Sequence, residues 1–317
     1  MSGKTDNTIS AAGGVAAGWA SYRYLPSIVQ RPYGRWILSE CRKIPQAEHI
    51  KYYDAAKQAY ETSGLKEKGV ELIDLNSSNL QGVIKDTFEK SEKNAEIMKK
   101  NLRTKIYKFF NMPVPKEIKT KPQKPRPKWK YILFGPSRED KLKASLKNIS
   151  EGNNASFHSG SNNVFVNKDA MGFSAFHEMG HAVNANSKDA LKTLSIGRHF
   201  AAFAVPFLLA AALIKKRKPE SSDEPRSTQR RKNFLKDNIG LITFGCMLPT
   251  VVEEGLASIN GAKLAKKVLN PQEIKKLNIT NTKAWSTYLL GATLVSICAQ
   301  LAVKVKDRLV PPKQNQK

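Results

Sequence analysis

The sequence predicts a mainly α-helical protein with a small β component and helices that associate with a membrane. Three observations support this fold class. Apolar residues recur at three- and four-residue spacing over long stretches, which is the period of a helix. Three uninterrupted apolar runs lie in the C-terminal half of the 317 residues. One short segment, 163–167, has the β-branched and aromatic residues that favour a strand.

The chain is strongly basic, with 53 Lys and Arg residues against 27 Asp and Glu residues and a formal net charge of +26. Such an excess requires an anionic partner, which is usually nucleic acid or anionic lipid. The basic stretches border the apolar runs, and no nucleic-acid-binding module is recognisable. We therefore expect a membrane with anionic lipids as the partner, and no nucleic acid.

Residues 1–47 are expected to form a weakly apolar helical segment that includes Ile9–Ala20. The alternative for this stretch is an ordinary packing helix. Residues 48–112 are predicted to be helical, because aromatic and alanine residues such as Tyr52 and Tyr60 recur at helical spacing. Neither segment carries a motif that points to chemistry.

A linker rich in proline and lysine is predicted at 113–130, since its prolines interrupt regular structure. From Lys99 to Lys130 the chain has twelve Lys and Arg residues and one acid, Glu117. This basic strap can lie on anionic headgroups, at about 1 kcal/mol per basic side chain near the surface. The alternative is a solvated basic linker.

The apolar runs are Phe200–Ile214, Ile239–Val252 and Trp285–Val303, with 15, 14 and 19 residues. At 1.5 Å per residue the third run is about 28 Å long, which is enough to cross a bilayer core of about 30 Å. Residues 283–317 are therefore expected to contain a transmembrane helix and a basic tail. The first two runs are shorter, so residues 199–252 are expected to form an apolar hairpin with a basic loop. The alternative for this hairpin is a pair of buried core helices.

The motif that carries chemistry is His-Glu-Met-Gly-His at 177–181, on a helix predicted from about Met171 to Asn186. Residues four apart lie on one face of a helix, so the imidazoles of His177 and His181 can reach one metal ion. Glu178 can hold and deprotonate a water bound to that metal. Zinc takes nitrogen and oxygen ligands and, in a catalytic site, three protein ligands beside an open position. The motif therefore predicts a zinc site with Glu178 as the general base.

The third zinc ligand is not fixed by this motif. Glu253 and Glu254 directly follow the second apolar run, where paired acids are costly unless a partner such as a metal stabilises them. His158 and His199 are further candidates, although neither belongs to a recognisable pattern. The alternative for the two acids is a helix cap or an ion pair with a nearby lysine such as Lys263.

The order of these features resembles that of the M48 family of membrane-bound zinc endopeptidases, the HtpX and Ste24 type, within the gluzincins. In that family an H-E-x-x-H motif precedes an apolar hairpin and an E-x-x-A-D motif. The resemblance covers residues 163–267, about a third of the chain. It implies a gluzincin-like catalytic core formed by residues 131–198 together with residues 253–282.

The resemblance also implies roles for individual residues. His177, His181 and Glu254 are the implied zinc ligands, and Glu178 is the implied general base. The segment Val164-Phe165-Val166 is implied to be a short edge strand, along which an extended substrate peptide adds as a further strand.

The chain departs from the family pattern at Ser258, where the family has an aspartate that orients a ligating histidine. The hydroxyl of Ser258 can accept that hydrogen bond more weakly, and Asn260 is the alternative. No motif marks the group that stabilises the oxyanion, for which His158 is a candidate.

Together these features predict a zinc-dependent, membrane-associated endopeptidase that hydrolyses protein or peptide substrates. The expected location is the cell membrane, with the site facing the cytoplasm, where loops rich in Lys and Arg stay. The alternative is a catalytically inactive membrane-anchored scaffold or anionic-lipid-binding protein with a vestigial H-E-x-x-H motif. A zinc-dependent toxin or effector that acts on membranes is a third hypothesis.

Overall fold

The structure, a computed structural model, describes residues 32–36, 38–109, 137–187, 190–215, 217 and 225–309. Some predicted features lie outside the described residues. They are the N-terminal helix at Ile9–Ala20, the linker at 113–130, part of the basic loop after Ile214, and the end of the basic tail after Leu309.

The elements along the chain are α1 (Gln46–Glu61), β1 (Glu71–Asp74), α2 (Leu80–Phe109), α3 (Arg138–Ser150), β2 (Ser156–His158), β3 (Asn163–Val166), α4 (Lys168–Met171), a 3-10 turn (Gly172–Ser174), α5 (Ala175–Ala185), α6 (Ala190–Ile214), α7 (Arg226–Asp237), α8 (Ile239–Ala265) and α9 (Pro271–Leu309). The mainly α-helical fold class with a small β component is therefore confirmed. The gluzincin-like arrangement of the core stays a prediction.

The chain divides into two compact units. The sheet unit consists of Arg42–Val183 and Asn260–Ile274. The helical unit consists of Met1–Cys41, Asn184–Ile259 and Lys275–Lys317. Helices α5, α8 and α9 each continue across a boundary, so each contributes residues to both units.

Among the described residues, the sheet unit contains a three-stranded sheet in the order β1-β3-β2. Strand β3 pairs in parallel with β1, with Glu71 opposite Asn163, and antiparallel with β2, with Ser156 opposite Phe165. It is therefore the central strand, and all four of its residues are buried. The expectation that Val164-Phe165-Val166 offers an edge to a substrate peptide is wrong, because strands already pair with both sides of β3.

Strand β1 lies in a region that the sequence predicts to be helical. Gly64 and Gly69 precede it with φ angles of 73° and 71°, a backbone conformation that glycine adopts without strain. The strand is only four residues long, and its partner β3 lies far along the chain. Local periodicity therefore could not reveal this pairing.

An apolar core joins the sheet to helix α3. Its buried members are Leu75, Leu142, Leu146, Ile149 and Phe165. Helix α3 begins with a capping box, in which the side chain of Ser137 accepts a hydrogen bond from the N–H of Asp140 and the Asp140 carboxylate accepts one in return. Helix α3 therefore packs against the central strand of the sheet.

In the helical unit, the apolar runs lie inside longer helices. Helix α6 has 25 residues, α8 has 27 and α9 has 39. Helix α8 does not end at Val252 but continues to Ala265, which makes it about 40 Å long at 1.5 Å per residue. Helices α8 and α9 are long and apolar enough to cross a membrane, whereas the apolar part of α6 is shorter, at Ala204–Ile214. Only 33% of the apolar window of α8 or α9 is buried, whereas a soluble core helix is mostly buried.

Helices α6, α8 and α9 pack around one apolar cluster in this unit. Its buried members are Leu209, Ala212, Leu213, Ile239, Ala299 and Val303. Beside it, the side-chain oxygen of Gln300 accepts a 3.1 Å hydrogen bond from the N–H of Gly240, and its NH₂ group donates to the carbonyl oxygen of Lys236 at 3.1 Å. One side chain of α9 therefore ties this helix to the junction of α7 and α8.

Candidate metal centre

A short turn fixes the start of helix α5. Asn167 follows β3, and its side-chain oxygen accepts hydrogen bonds from the N–H groups of Asp169 and Ala170. The chain then makes a 3-10 turn that begins at Gly172. A Cβ atom at Gly172 would lie 2.0 Å from the carbonyl oxygen of His49, so no larger residue fits there. This close approach holds the turn against helix α1.

His177 and His181 bring their ring nitrogens together across one turn of α5. Their Nε2 atoms are 3.1 Å apart, and their ring planes are inclined at 84°. His181 is buried, and His177 is partly exposed. The two imidazoles therefore share one face of the helix, as the spacing predicts.

This geometry fits a divalent metal ion. Zinc bonds imidazole nitrogens at about 2.0–2.1 Å, so two nitrogens 3.1 Å apart would meet one ion at an angle of about 100°, close to tetrahedral. The possible ligand atoms of His177, Glu178 and His181 all lie within 4.8 Å of one another. These three side chains can therefore hold a metal ion.

The carboxylate of Glu178 is held by the sheet. Its Oε2 atom accepts a 2.7 Å hydrogen bond from the backbone N–H of Phe157. Phe157 is the middle residue of β2 and lies opposite Val164 of the central strand. Strand β2 is an end strand, so this buried carboxylate lies at an outer edge of the sheet. Nothing in the sequence marks Phe157, because the contact uses only its backbone.

Glu253 and Glu254 lie within helix α8, and each is only 1% exposed. The side-chain NH₂ group of Asn184 donates to the Oε1 atom of Glu253 at 3.3 Å and lies 3.4 Å from the carbonyl oxygen of Glu253. Asn184 is buried and lies three residues after His181 on helix α5, so the two share a face. Asn184 is not among the site residues that the sequence predicts, although its helical spacing from His181 is a signal that identifies it.

Ser258 donates its hydroxyl hydrogen to the backbone carbonyl oxygen of Glu254, one turn earlier in α8, at 3.1 Å. A serine hydroxyl has one donor and two acceptor lone pairs. The side-chain oxygen of Asn260 accepts a hydrogen bond from Lys263 at 3.4 Å. Both contacts are local to helix α8.

His158 lies on β2, next to Phe157. Its Nδ1 atom accepts a 3.1 Å hydrogen bond from the N–H of Ser161 and lies 2.9 Å from the hydroxyl of the same residue. Because Nδ1 is an acceptor, the neutral ring carries its hydrogen on Nε2 and can donate from that atom. The side chain of His199, another candidate ligand, lies outside the part of the chain that the structure describes.

The last turns of α8 make a close backbone contact with α5. A Cβ atom at Gly261 would lie 2.2 Å from the carbonyl oxygen of Phe176 and 3.2 Å from the Cα atom of His177. Only glycine permits this approach. Helix α8 therefore packs directly against the residues at which the H-E-x-x-H motif begins.

No model of a known protein family matches the chain, and no curated protein or solved structure matches it either. The resemblance to the membrane-bound zinc endopeptidases therefore rests on the motifs in the sequence.

Proposed function

We propose that the chain is a zinc-dependent, membrane-associated endopeptidase. The observation that carries this proposal is the convergence of His177 and His181, with their Nε2 atoms 3.1 Å apart, beside the buried carboxylate of Glu178. Two imidazoles on one helical face and an adjacent glutamate are the groups that zinc-dependent hydrolysis of peptides uses.

We propose Glu254 as the third zinc ligand, and two helix contacts support this assignment. Gly261 of α8 lies against Phe176 of α5, and Glu253 of α8 accepts a hydrogen bond from Asn184 of α5. Asn184 follows Phe176 by eight residues in α5, and Glu253 precedes Gly261 by eight residues in α8. Matched spacing in opposite order is what antiparallel neighbouring helices produce.

The periodicity of α8 favours Glu254 over Glu253 as the proposed ligand. Glu254 precedes Gly261 by seven residues, so both lie on the same face of the helix. The carboxylate of Glu253 already accepts a hydrogen bond from Asn184. Glu254 is 1% exposed in an apolar helix, where binding to a metal ion would stabilise its charge. The hydroxyl of Ser258 remains the proposed acceptor that orients a ligating histidine.

When bound, zinc would supply Lewis-acid activation of water and of the scissile carbonyl group. Glu178 would take a proton from the attacking water and pass it to the leaving amine. The N–H of Phe157 would hold the carboxylate at the sheet edge during both transfers. His158, whose neutral ring can donate from Nε2, is the proposed partner of the oxyanion.

The proposed substrate is an extended protein or peptide segment that adds to the outer edge of β2, Ser156–His158. This strand is at the end of the sheet order, and its middle residue contacts Glu178. The substrate-binding edge that was expected at Val164-Phe165-Val166 is therefore proposed at the neighbouring strand, β2. These residues form the buried support of the proposed substrate-binding edge.

We propose the cell membrane as the location, with the site on the cytoplasmic side. Helices α8 and α9 are long and apolar enough to cross a membrane. The strap at 99–130 has twelve Lys and Arg residues and one acid, and in the sequence no apolar run separates it from the H-E-x-x-H motif. The 215–237 segment is also basic, with nine such residues and four acids. Segments rich in Lys and Arg favour the cytoplasmic side.

Comparison of the wild type with the Glu178→Gln variant tests this function. Both proteins, purified in detergent, should contain about one zinc ion per chain, because Glu178 is the proposed base and not a proposed zinc ligand. The wild type should cleave casein or itself, and the variant should lose about 10²–10⁴-fold of that activity, which is the usual contribution of a general base. Equal activity in the two proteins, or cleavage that survives complete chelation, would contradict the proposal.

The second candidate function is an inactive membrane-anchored scaffold or anionic-lipid-binding protein, which the formal net charge of +26 favours. Such a protein would bind vesicles containing phosphatidylglycerol equally well with and without zinc. It would also cleave no peptide at any zinc concentration.

A further inference from the structure

Trp285 lies at one end of an exposed apolar surface of the helical unit. The indole N–H of Trp285 in α9 donates a 2.8 Å hydrogen bond to the carbonyl oxygen of Val251 in α8. A Cβ atom at Gly255 would lie 3.2 Å from the same indole nitrogen. These contacts place Trp285 and the segment Val251–Gly255 at one level along the two helices.

Two more aromatic residues lie at this level. The hydroxyl of Tyr33 is 2.9 Å from the hydroxyl of Ser286, and the rings of Tyr33 and Trp36 stack with centroids 5.5 Å apart. The ammonium group of Lys283 lies 5.6 Å from the centre of the Trp36 ring. Trp36 is 45% exposed. We call Tyr33, Trp36 and Trp285 the aromatic cluster.

Cations mark the opposite end of α9. Lys236 and Asp307 form a buried ion pair. The guanidinium of Arg217 lies 3.0 Å from Asp237 and 3.6 Å from Asp307, and the ammonium group of Lys306 lies 3.7 Å from Asp307. Three cations therefore meet two carboxylates, which leaves a net positive charge. We call Arg217, Lys236 and Lys306 the basic rim.

The surface between these two ends is apolar and exposed. Along α9 the distance from Trp285 to Val303 is about 27 Å at 1.5 Å per residue, close to the thickness of a bilayer core, about 30 Å. Large apolar side chains of α6, α8 and α9 are exposed on this surface. They include Phe207 at 68%, Leu241 at 72%, Leu248 at 41%, Ile297 at 50% and Leu301 at 53% exposure.

We propose that lipid covers this surface, with the aromatic cluster at one interface of the bilayer and the basic rim at the other. Tryptophan and tyrosine concentrate at the boundary between hydrocarbon and water. In the basic rim, Arg217 has the most exposed side chain, at 33%, and its cation can reach anionic headgroups. An aromatic end and a cationic end, separated by the thickness of the hydrocarbon, match a bilayer. A second copy of the chain or a partner protein would have no need of that spacing.

This placement sets the depth of the two buried acids. Helix α8 begins at Ile239, near the basic rim, and reaches the level of Trp285 at Val251. Glu253 and Glu254 follow on the side away from the hydrocarbon, two and three residues further. They therefore lie at headgroup level.

Spin labels on single cysteines test the depth. The full chain, with its three native cysteines replaced by alanine, is reconstituted in vesicles of phosphatidylcholine and phosphatidylglycerol. Labels at Leu248→Cys and Leu301→Cys should be several-fold more accessible to oxygen than to a water-soluble nickel complex. A control label at Lys275→Cys, which lies beyond Trp285, should show the reverse order.

Two results would overturn the proposal. Access of nickel to Leu248→Cys or Leu301→Cys would mean that water covers the surface. Labels at these positions that neither reagent reaches would mean that protein, such as a second copy, covers it. Neither result depends on zinc or on cleavage, so a failed peptidase assay leaves this test unaffected.

A second measurement requires no cysteine-free protein. In one set of vesicles the lipids carry bromine near the headgroup end of the acyl chain, and in another set they carry it near the centre of the bilayer. The first set should quench the tryptophan fluorescence more strongly than the second. The difference should shrink several-fold in the Trp36→Phe/Trp285→Phe double variant. Stronger quenching by deep bromines that disappears in the double variant would place the aromatic cluster in the middle of the bilayer and would overturn the proposal.

Discussion

The backbone N–H of Phe157 donates a 2.7 Å hydrogen bond to the carboxylate of Glu178. This bond connects the proposed general base to the outer edge of the sheet. A substrate strand that adds to β2 would use the outward-facing C=O group of the same residue, because its N–H group is bonded to Glu178. Substrate binding and the orientation of the base therefore depend on the backbone of one residue, Phe157.

Removing this amide hydrogen should lower the rate of peptide cleavage. Phe157→Pro deletes the donor, whereas the control Phe157→Ala removes the side chain and keeps the N–H group. We expect kcat to fall at least about 10-fold more in the proline variant than in the alanine variant, because a positioned base contributes about 10²–10⁴-fold. Zinc content should stay the same in both. Equal losses in kcat would show that the cleavage rate depends on the side chain of Phe157 and not on its N–H group.

The two adjacent acids of α8 should differ in their effect on zinc. Glu254→Gln removes a proposed ligand and should weaken zinc binding more than about 100-fold. Glu253→Gln affects only a supporting residue and should weaken it by about 10–100-fold, which is what supporting residues typically contribute. Competition with a chelator of known affinity measures both values. The reverse order would transfer the ligand role to Glu253.

Asn184→Asp should destabilise the protein, because it places a second carboxylate about 3.3 Å from that of Glu253. We expect a loss of about 1–3 kcal/mol, as for a buried polar group that loses its partner. Adding Glu253→Gln should restore most of this loss, since its NH₂ group can donate to the new aspartate. Thermal unfolding in detergent measures both steps. If the second substitution restores nothing, the hydrogen bond between positions 184 and 253 is not the stabilising contact.

Gly261→Ala should loosen the packing of α5 against α8, because its Cβ atom would lie 2.2 Å from the carbonyl oxygen of Phe176. Overpacking of this kind typically costs about 1–3 kcal/mol. The matched control is Gly82→Ala in helix α2, where a Cβ atom meets nothing within 4 Å. That change should stabilise the protein by up to about 1 kcal/mol, because alanine favours helices. Similar unfolding temperatures for the two variants would contradict the close helix contact.

The features that the sequence predicted correctly are local ones. The shared face of His177 and His181 follows from helical spacing, and the apolar runs lie in α6, α8 and α9. The strand at 163–166 follows from its β-branched and aromatic residues. Each of these features depends on residues within a few turns of one another.

The features that the sequence did not predict come from contacts between distant segments. Strand β1 was expected to be helical, and β3 was expected at an edge, although its neighbours β1 and β2 occupy both sides. The contacts of Glu178 with Phe157 and of Glu253 with Asn184 join segments that are separated along the chain. Periodicity carries no information about which distant backbone group meets a side chain.

X-ray absorption at the zinc edge tests the central claim most directly. The full chain is loaded with one equivalent of zinc in detergent, and the His177→Ala/His181→Ala variant serves as the control. We predict only nitrogen and oxygen neighbours at about 2.0–2.1 Å, with the outer-shell scattering of two imidazoles, and loss of bound zinc in the control. A sulfur neighbour at about 2.3 Å, or an unchanged spectrum in the control, would contradict the proposed metal centre.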